Sequence, residues 1–118
     1  MKKALVIEDN RQTADSICKM LELLSVQTEA VYGSGPALRN LKSKKPDIIF
    51  LDINLPGLSG FEILGFLQRE PRLASVPVIV VTSDDQIETS ERALRLGALK
   101  VMIKPVTMED LETIINQI

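Results

Sequence analysis

Four short apolar runs punctuate the chain, at residues 4–7, 48–51, 78–81 and 101–103, and none of them alternates with polar residues. A strand with one wet face must alternate, because successive side chains point to opposite faces; an unbroken apolar run suits a strand covered on both. These runs therefore read as parallel strands lying between helices. A fifth segment, 26–31, carries Gln27, Thr28 and Glu29 and reads as an edge strand.

Between the runs the apolar period lengthens to that of helices. Ala14, Ile17, Cys18, Leu21 and Leu24 share one face over 11–24, and Ala37, Leu38 and Leu41 do so over about 36–43, with Pro36 where a first helical turn tolerates proline. A third helix opens on the capping-box pattern Ser59-x-x-Glu62 and presents Ile63, Leu64 and Leu67. A fourth starts from the same pattern at Asp85-x-x-Glu88 and stops at Gly97. The fifth starts at Thr107, with Leu111, Ile114, Ile115 and Ile118 at helical spacing. Strands alternating with helices in this way form right-handed crossovers, so the expected fold is an α/β three-layer sandwich, an open five-stranded parallel sheet with helices on both faces. A chain of 118 residues has room for one domain with one core, expected over residues 1–118.

Composition removes several classes of function. The chain has no histidine, which excludes Ser-His-Asp and Cys-His catalysis, imidazole metal sites and a phosphohistidine formed on this chain. Fourteen Lys and Arg against 16 Asp and Glu, with 3% aromatic residues, leave no basic, ring-bearing stripe for direct nucleic-acid binding. No apolar run approaches the ~20 residues that span a bilayer. The single cysteine, Cys18, falls in the first helix's apolar stripe and reads as a small buried hydrophobe. With no signal peptide at the N-terminus, the reducing cytoplasm is the expected compartment.

In an open parallel sheet the ligand crevice lies beyond the carboxyl ends of the strands. Those ends carry Glu8 and Asp9, then Asp52, then Thr82, then Lys104. Each acid alone is commonplace, as a solvated carboxylate or a helix cap. Three in one pocket resist joint ionisation unless a cation compensates. A hard divalent cation such as Mg2+ suits an all-oxygen set and commonly completes its shell with phosphate oxygens. Asp52 has a second role open to it, because a carboxylate can attack phosphorus and form an aspartyl phosphate. Lys104 and the Thr82 hydroxyl would then complete the electrostatic clamp that phosphoryl transfer needs. Pro105 argues against Lys104 as an ordinary surface lysine, since it restricts the preceding backbone and marks a turn at the sheet end.

On these residues the chain resembles the response-regulator receiver domains of two-component signalling, and among them the chemotaxis regulators. The resemblance spans essentially the whole chain. It is carried by Glu8-Asp9, by PDIIFLDINLPGLSG at 46–60, by Val81-Thr82-Ser83, by Gly97-Ala98 and by Lys104-Pro105. It implies a flavodoxin-like, doubly wound sheet of strand order 2-1-3-4-5. It implies that Asp52 is the phosphoacceptor, that Asp9, Asp52 and the Asn54 backbone carbonyl bind Mg2+ with Glu8 in support, and that Thr82 and Lys104 contact the phosphoryl group. The implied function is a switch: Asp52 accepts a phosphoryl group from a partner histidine kinase or phosphotransfer protein and loses it by Mg2+-dependent hydrolysis. Such a protein catalyses only its own phosphorylation and dephosphorylation and is not otherwise an enzyme. Gly57 and Gly60 fall where the family's loop turns sharply, and the Lys104-Pro105 bond is usually cis in it.

Receivers also dimerise or dock through the fourth helix, fifth strand and fifth helix, so Glu88, Arg92, Arg95 and Lys100 are expected to form a mixed-charge face for a partner or a second copy. One departure stands out. Val101 occupies the position, three residues before the lysine, where the family usually has Tyr or Phe. Valine has no ring to turn inward, so coupling is expected to run through the 82–85 loop instead.

A haloacid-dehalogenase-type phosphatase would need a second acid two residues after its nucleophile, where this chain has Asn54. A flavodoxin-like FMN protein would need a hydroxyl- and glycine-rich phosphate loop where Glu8-Asp9-Asn10 repels phosphate. The remaining alternative is a receiver-like interaction module that is not phosphorylated. The complete acidic, Thr and Lys set counts against it.

Overall fold

A computed structural model describes residues 1–118. Its elements, in chain order, are β1 (Lys3–Ile7), α1 (Arg11–Leu23), β2 (Gln27–Val31), α2 (Ser34–Ser43), β3 (Ile48–Asp52), α3 (Gly60–Arg69), β4 (Val78–Thr82), α4 (Ile87–Arg95), β5 (Lys100–Ile103) and α5 (Met108–Gln117). All strand pairs are parallel and the sheet order is β2-β1-β3-β4-β5, as the apolar runs and the resemblance require.

The absence of alternation has the expected cause. Leu5, Ile7, Ile49, Leu51, Val78 and Val80 point to the layer built from α2, α3 and α4, where they meet Ala37, Leu41, Ile63, Leu64, Leu67 and Ala93. Ala4, Val6, Ile48, Phe50, Ile79 and Val81 point the other way, onto Ala14, Ile17 and Leu21 of α1 and Leu111, Ile114 and Ile115 of α5. Every residue of β3 and β4 is buried, which leaves their carboxyl ends as the place where polar side chains emerge.

β5 departs from this pattern. It pairs with β4 alone, so its apolar run belongs to an edge strand, with Val101 half-buried and Ile103 exposed. The helix-end signals at Ser59, Thr107 and Gly97 hold. Ser59 and Glu62 form the reciprocal capping box of α3, Thr107 accepts from the Asp110 amide at the start of α5, and α4 ends in a Schellman turn at Gly97 (φ +107°), with the Ala98 amide donating to the Ala93 carbonyl at 3.0 Å. Asn10, which no sequence signal singles out, caps α1 in the same way as Thr107 caps α5. α2 starts at Ser34, two residues before Pro36, which keeps the proline in the first turn. The Asp85–Glu88 box does not form. The N-cap of α4 is Gln86, so Glu88 is the second helical residue and is out of register to reach back. Asp84 does the work instead: its carboxylate accepts from the Gln86 amide at 2.9 Å and from Thr89 Oγ1 at 2.6 Å.

Candidate functional site

Register brings the candidate residues together. Ile7 pairs with Leu51, so the next residues, Glu8 and Asp52, emerge side by side at the carboxyl edge of the two central strands. Asp52 pairs with Val81, and Thr82 pairs with Ile103, while the Lys104 amide donates to the Thr82 carbonyl at 2.8 Å. Residues separated by most of the chain thereby line one short stretch of sheet edge. The Lys104–Pro105 peptide bond is cis.

The side chains form a compact charged group. Lys104 Nζ lies 2.5 Å from Glu8 Oε1 and 3.6 Å from Asp52 Oδ2. Glu8 and Asp52 are buried, Lys104 is largely enclosed and Asp9 is exposed at the mouth. Carboxylate oxygens of Glu8, Asp9 and Asp52 all lie within 4.8 Å of one another. The Asn54 amide donates to Asp52 Oδ1 at 3.1 Å and so fixes that carboxylate's orientation. Thr82 is fully buried, and its Oγ1 accepts from the Asp84 amide at 3.1 Å. That contact uses a lone pair and leaves the hydroxyl proton free to donate.

Electrostatics follows from the crowding. Burial, reinforced by the neighbouring Asp52 and only partly offset by Lys104, pushes the Glu8 carboxyl above its ordinary value. Burial pulls Lys104 down, but the Glu8 and Asp52 carboxylates outweigh it and hold the ammonium above the usual lysine range. One atom is left over: Glu8 Oε2 is buried and has no hydrogen-bond partner. Buried polar atoms are rarely left so. An orphaned carboxylate oxygen beside two further carboxylates is an all-oxygen, net-negative donor set, and it fits a hard divalent cation.

The loop after Asp52 holds features that turn signals alone did not reveal. Gly60 was expected at a sharp turn, but it is the first residue of α3 and matters for close approach. A Cβ there would fall 2.4 Å from the Asp52 carbonyl oxygen and 2.6 Å from Ile53 Cα. The Gly60 amide donates to the Ile53 carbonyl at 2.9 Å, drawing α3 onto the end of β3. Gly57 does occupy a turn, with φ +82°. The role of Asp84 leaves no trace in local sequence pattern, because its contacts lie one residue out of register with the Asp85-x-x-Glu88 box.

The expected mixed-charge face is altered at one position. Glu88, Arg92, Arg95 and Lys100 are all exposed, but Arg92 turns towards α3, with its guanidinium 4.0 Å from the centre of the Phe61 ring. Arg95 faces Glu91 at 4.0 Å on its own helix.

Comparison with known proteins agrees with this geometry. Residues 4–116 match the response regulator receiver domain family. The chain is 30% identical over 118 residues to Protein PilH of Pseudomonas aeruginosa, covering all of this chain and 98% of that protein. It is 31% identical to the phosphate regulon transcriptional regulatory protein PhoB of Escherichia coli K12, covering 93% of this chain but 48% of PhoB. The signal receiver domain of a DNA-binding response regulator from Colwellia psychrerythraea superposes with a TM-score of 0.93 at 30% identity, covering 99% of this chain and 97% of that one.

Proposed function

The chain belongs to the response regulator receiver domain family, whose members are phosphorylation-dependent signalling switches, and on that footing we propose that its switch is worked at Asp52 with Mg2+ as cofactor. The observation that carries this reading is the enclosed Lys104 ammonium between Glu8 and Asp52, beside an unpartnered Glu8 oxygen. A structural ion pair would leave no such surplus of negative charge.

Asp9, Asp52 and the Asn54 carbonyl would hold the cation, with Glu8 behind them. Bound there, Mg2+ supplies charge neutralisation to the transferring oxygens. An Asp52 oxygen attacks the donor's phosphorus, forming an acyl O–P bond as the P–N bond of a phosphohistidine breaks and the imidazole leaves with the electron pair. The donor histidine sits on a partner histidine kinase or phosphotransfer protein, because this chain has none. Lys104 is close enough to Asp52 to pair with one phosphoryl oxygen, and the free Thr82 proton is available to another. Hydrolysis of the acyl phosphate returns Asp52. A full reversal from 1:99 to 99:1 between inactive and active conformers needs about 5.5 kcal/mol of preference for the active one, which contacts from Thr82 and Lys104 to the new group would supply.

Residues 1–118 would act as one receiver unit, in the cytoplasm, where Cys18 stays a buried thiol. No helix is long and apolar enough to cross a membrane. The α4, β5 and α5 face would serve a second copy or an output partner. The test is incubation with Mg2+ and a small phosphodonor: one base-labile phosphoryl group should appear, and Asp52→Asn should abolish it. Equal labelling of that variant would move the nucleophile elsewhere, and an unlabelled parent would favour the interaction-module reading.

A further inference from the structure

Ser34 is the first residue of α2, yet it gives its hydroxyl to another part of the chain. The N-cap of α2 is Gly33, with no side-chain cap. Ser34 Oγ instead donates to the Pro56 carbonyl at 3.1 Å and accepts from the Leu58 amide at 3.1 Å. One buried hydroxyl thus bridges both sides of the turn at Gly57. The fit is close: a Cβ at Gly57 would stand 2.8 Å from Ser34 Oγ, so the turn has glycine both for its φ of +82° and for the space the serine takes.

This turn belongs to the loop that leaves Asp52. The loop's start is held by the Asn54 amide on Asp52 and the Leu55 amide on the Ile53 carbonyl at 3.2 Å, and its end by the Gly60 amide on the same carbonyl. Its middle is held from α2, by Ser34. We propose that Ser34 is a positioning residue for the cation site: by fixing the 54–60 loop it presets the Asn54 backbone for Mg2+, without touching the cation or the phosphoryl group itself. The inference rests on the cation site proposed above. Its physical basis is preorganisation, since a backbone carbonyl serves as a ligand only where its peptide is already held in place.

Ser34→Ala removes both bonds and leaves the Pro56 carbonyl and Leu58 amide to be satisfied by rearrangement or water. The experiment is Mg2+ titration by calorimetry, with the Asn54 and Leu58 amides followed by NMR. Ser34→Ala should bind Mg2+ about fivefold more weakly, on the scale of one hydrogen bond's net contribution. Labelling by a small phosphodonor should need correspondingly more Mg2+, yet reach the parent's rate at saturation. Ser34→Cys, which keeps a weak hydrogen-bonding group on a somewhat larger atom, should fall between. Ile114→Val, in the opposite layer, should lower the melting temperature with no change in Mg2+ affinity. Parental affinity in Ser34→Ala and Ser34→Cys, or equal weakening by Ile114→Val, overturns the role of Ser34 and leaves the site standing. A parent protein that binds no Mg2+ overturns the site and this inference together.

Discussion

The Lys104 ammonium is held closer to Glu8, at 2.5 Å, than to Asp52, at 3.6 Å. The lysine therefore neutralises the more deeply placed acid while remaining within reach of the proposed phosphoacceptor. Glu8 is the partner with no alternative: its side chain is 3% exposed and its second oxygen is unsatisfied.

Lys104→Met should accordingly destabilise the metal-free protein. Removing one member of a fully buried pair costs about 3–5 kcal/mol; with the Lys104 side chain 22% exposed, about 2 kcal/mol is expected after allowing for solvent screening. Urea unfolding in the presence of a chelator measures it, and Mg2+ should recover part of the loss by compensating Glu8. A variant as stable as the parent without metal would show that the pair contributes nothing net.

Gly60→Ala should be among the most damaging single-methyl additions in the chain. The added Cβ meets backbone atoms of Asp52 and Ile53, which cannot rotate away, so α3 must move off the end of β3. Overpacking of this kind costs about 1–3 kcal/mol, and the same movement should weaken Mg2+ binding. Denaturation and calorimetry on one sample would check both.

Asp84 makes the start of α4 pH-dependent. Hydrogen bonds from Thr89 and then from the Gln86 backbone hold its carboxyl below its ordinary value of 3.8. A depressed carboxyl contributes stability above its unfolded pKa and loses it as pH falls through the lower folded value. Asp84→Asn should therefore speed amide exchange in the first turn of α4 near neutral pH, and the difference from the parent should shrink below about pH 3.8. A difference that persists unchanged in acid would assign the effect to shape rather than charge.

Cys18 should behave as an inert core thiol. Burial pushes it above its ordinary value, and it packs with Ala14, Ile17 and Leu21. Alkylation at neutral pH should proceed only as the protein opens, accelerating with urea in step with unfolding. Rapid reaction of the native protein would contradict its packing.

Much of this architecture was legible because the signals are strong and local. Unbroken apolar runs marked β1, β3 and β4 as doubly covered, and Glu8, Asp9, Asp52, Thr82 and Lys104 could be placed in one crevice because parallel strands bring their carboxyl ends together. What was not legible depends on distance or on a one-residue offset. The exposure of Ile103 follows from β5 lying at an edge, which its composition does not show. The carboxylate that ties down the start of α4 is Asp84 rather than Asp85, because the N-cap is Gln86 and the Gln86 amide and Thr89 hydroxyl reach Asp84. Gly60 looked like a turn residue and is a point of helix–strand contact, visible only once α3 is packed on β3. Arg92 turns to Phe61 because α3 lies within reach of it, a neighbour no periodicity specifies.

A phosphoryl group on Asp52 would be read by Thr82 and Lys104 and relayed through the 82–85 loop to the start of α4. Val101 is half-buried against the α2–α4 layer and has one stiff rotatable bond, so it is expected to take no part in this relay by side-chain rotation. NMR of the free protein and of the beryllofluoride-bound form with Mg2+ tests this most directly. Large amide shifts are expected from Thr82 to Thr89, including loss of the Asp84 amide's contact with Thr82 Oγ1, with Val101 methyl signals and solvent exposure nearly unchanged. Large methyl shifts at Val101 with a quiet 82–89 segment would contradict it.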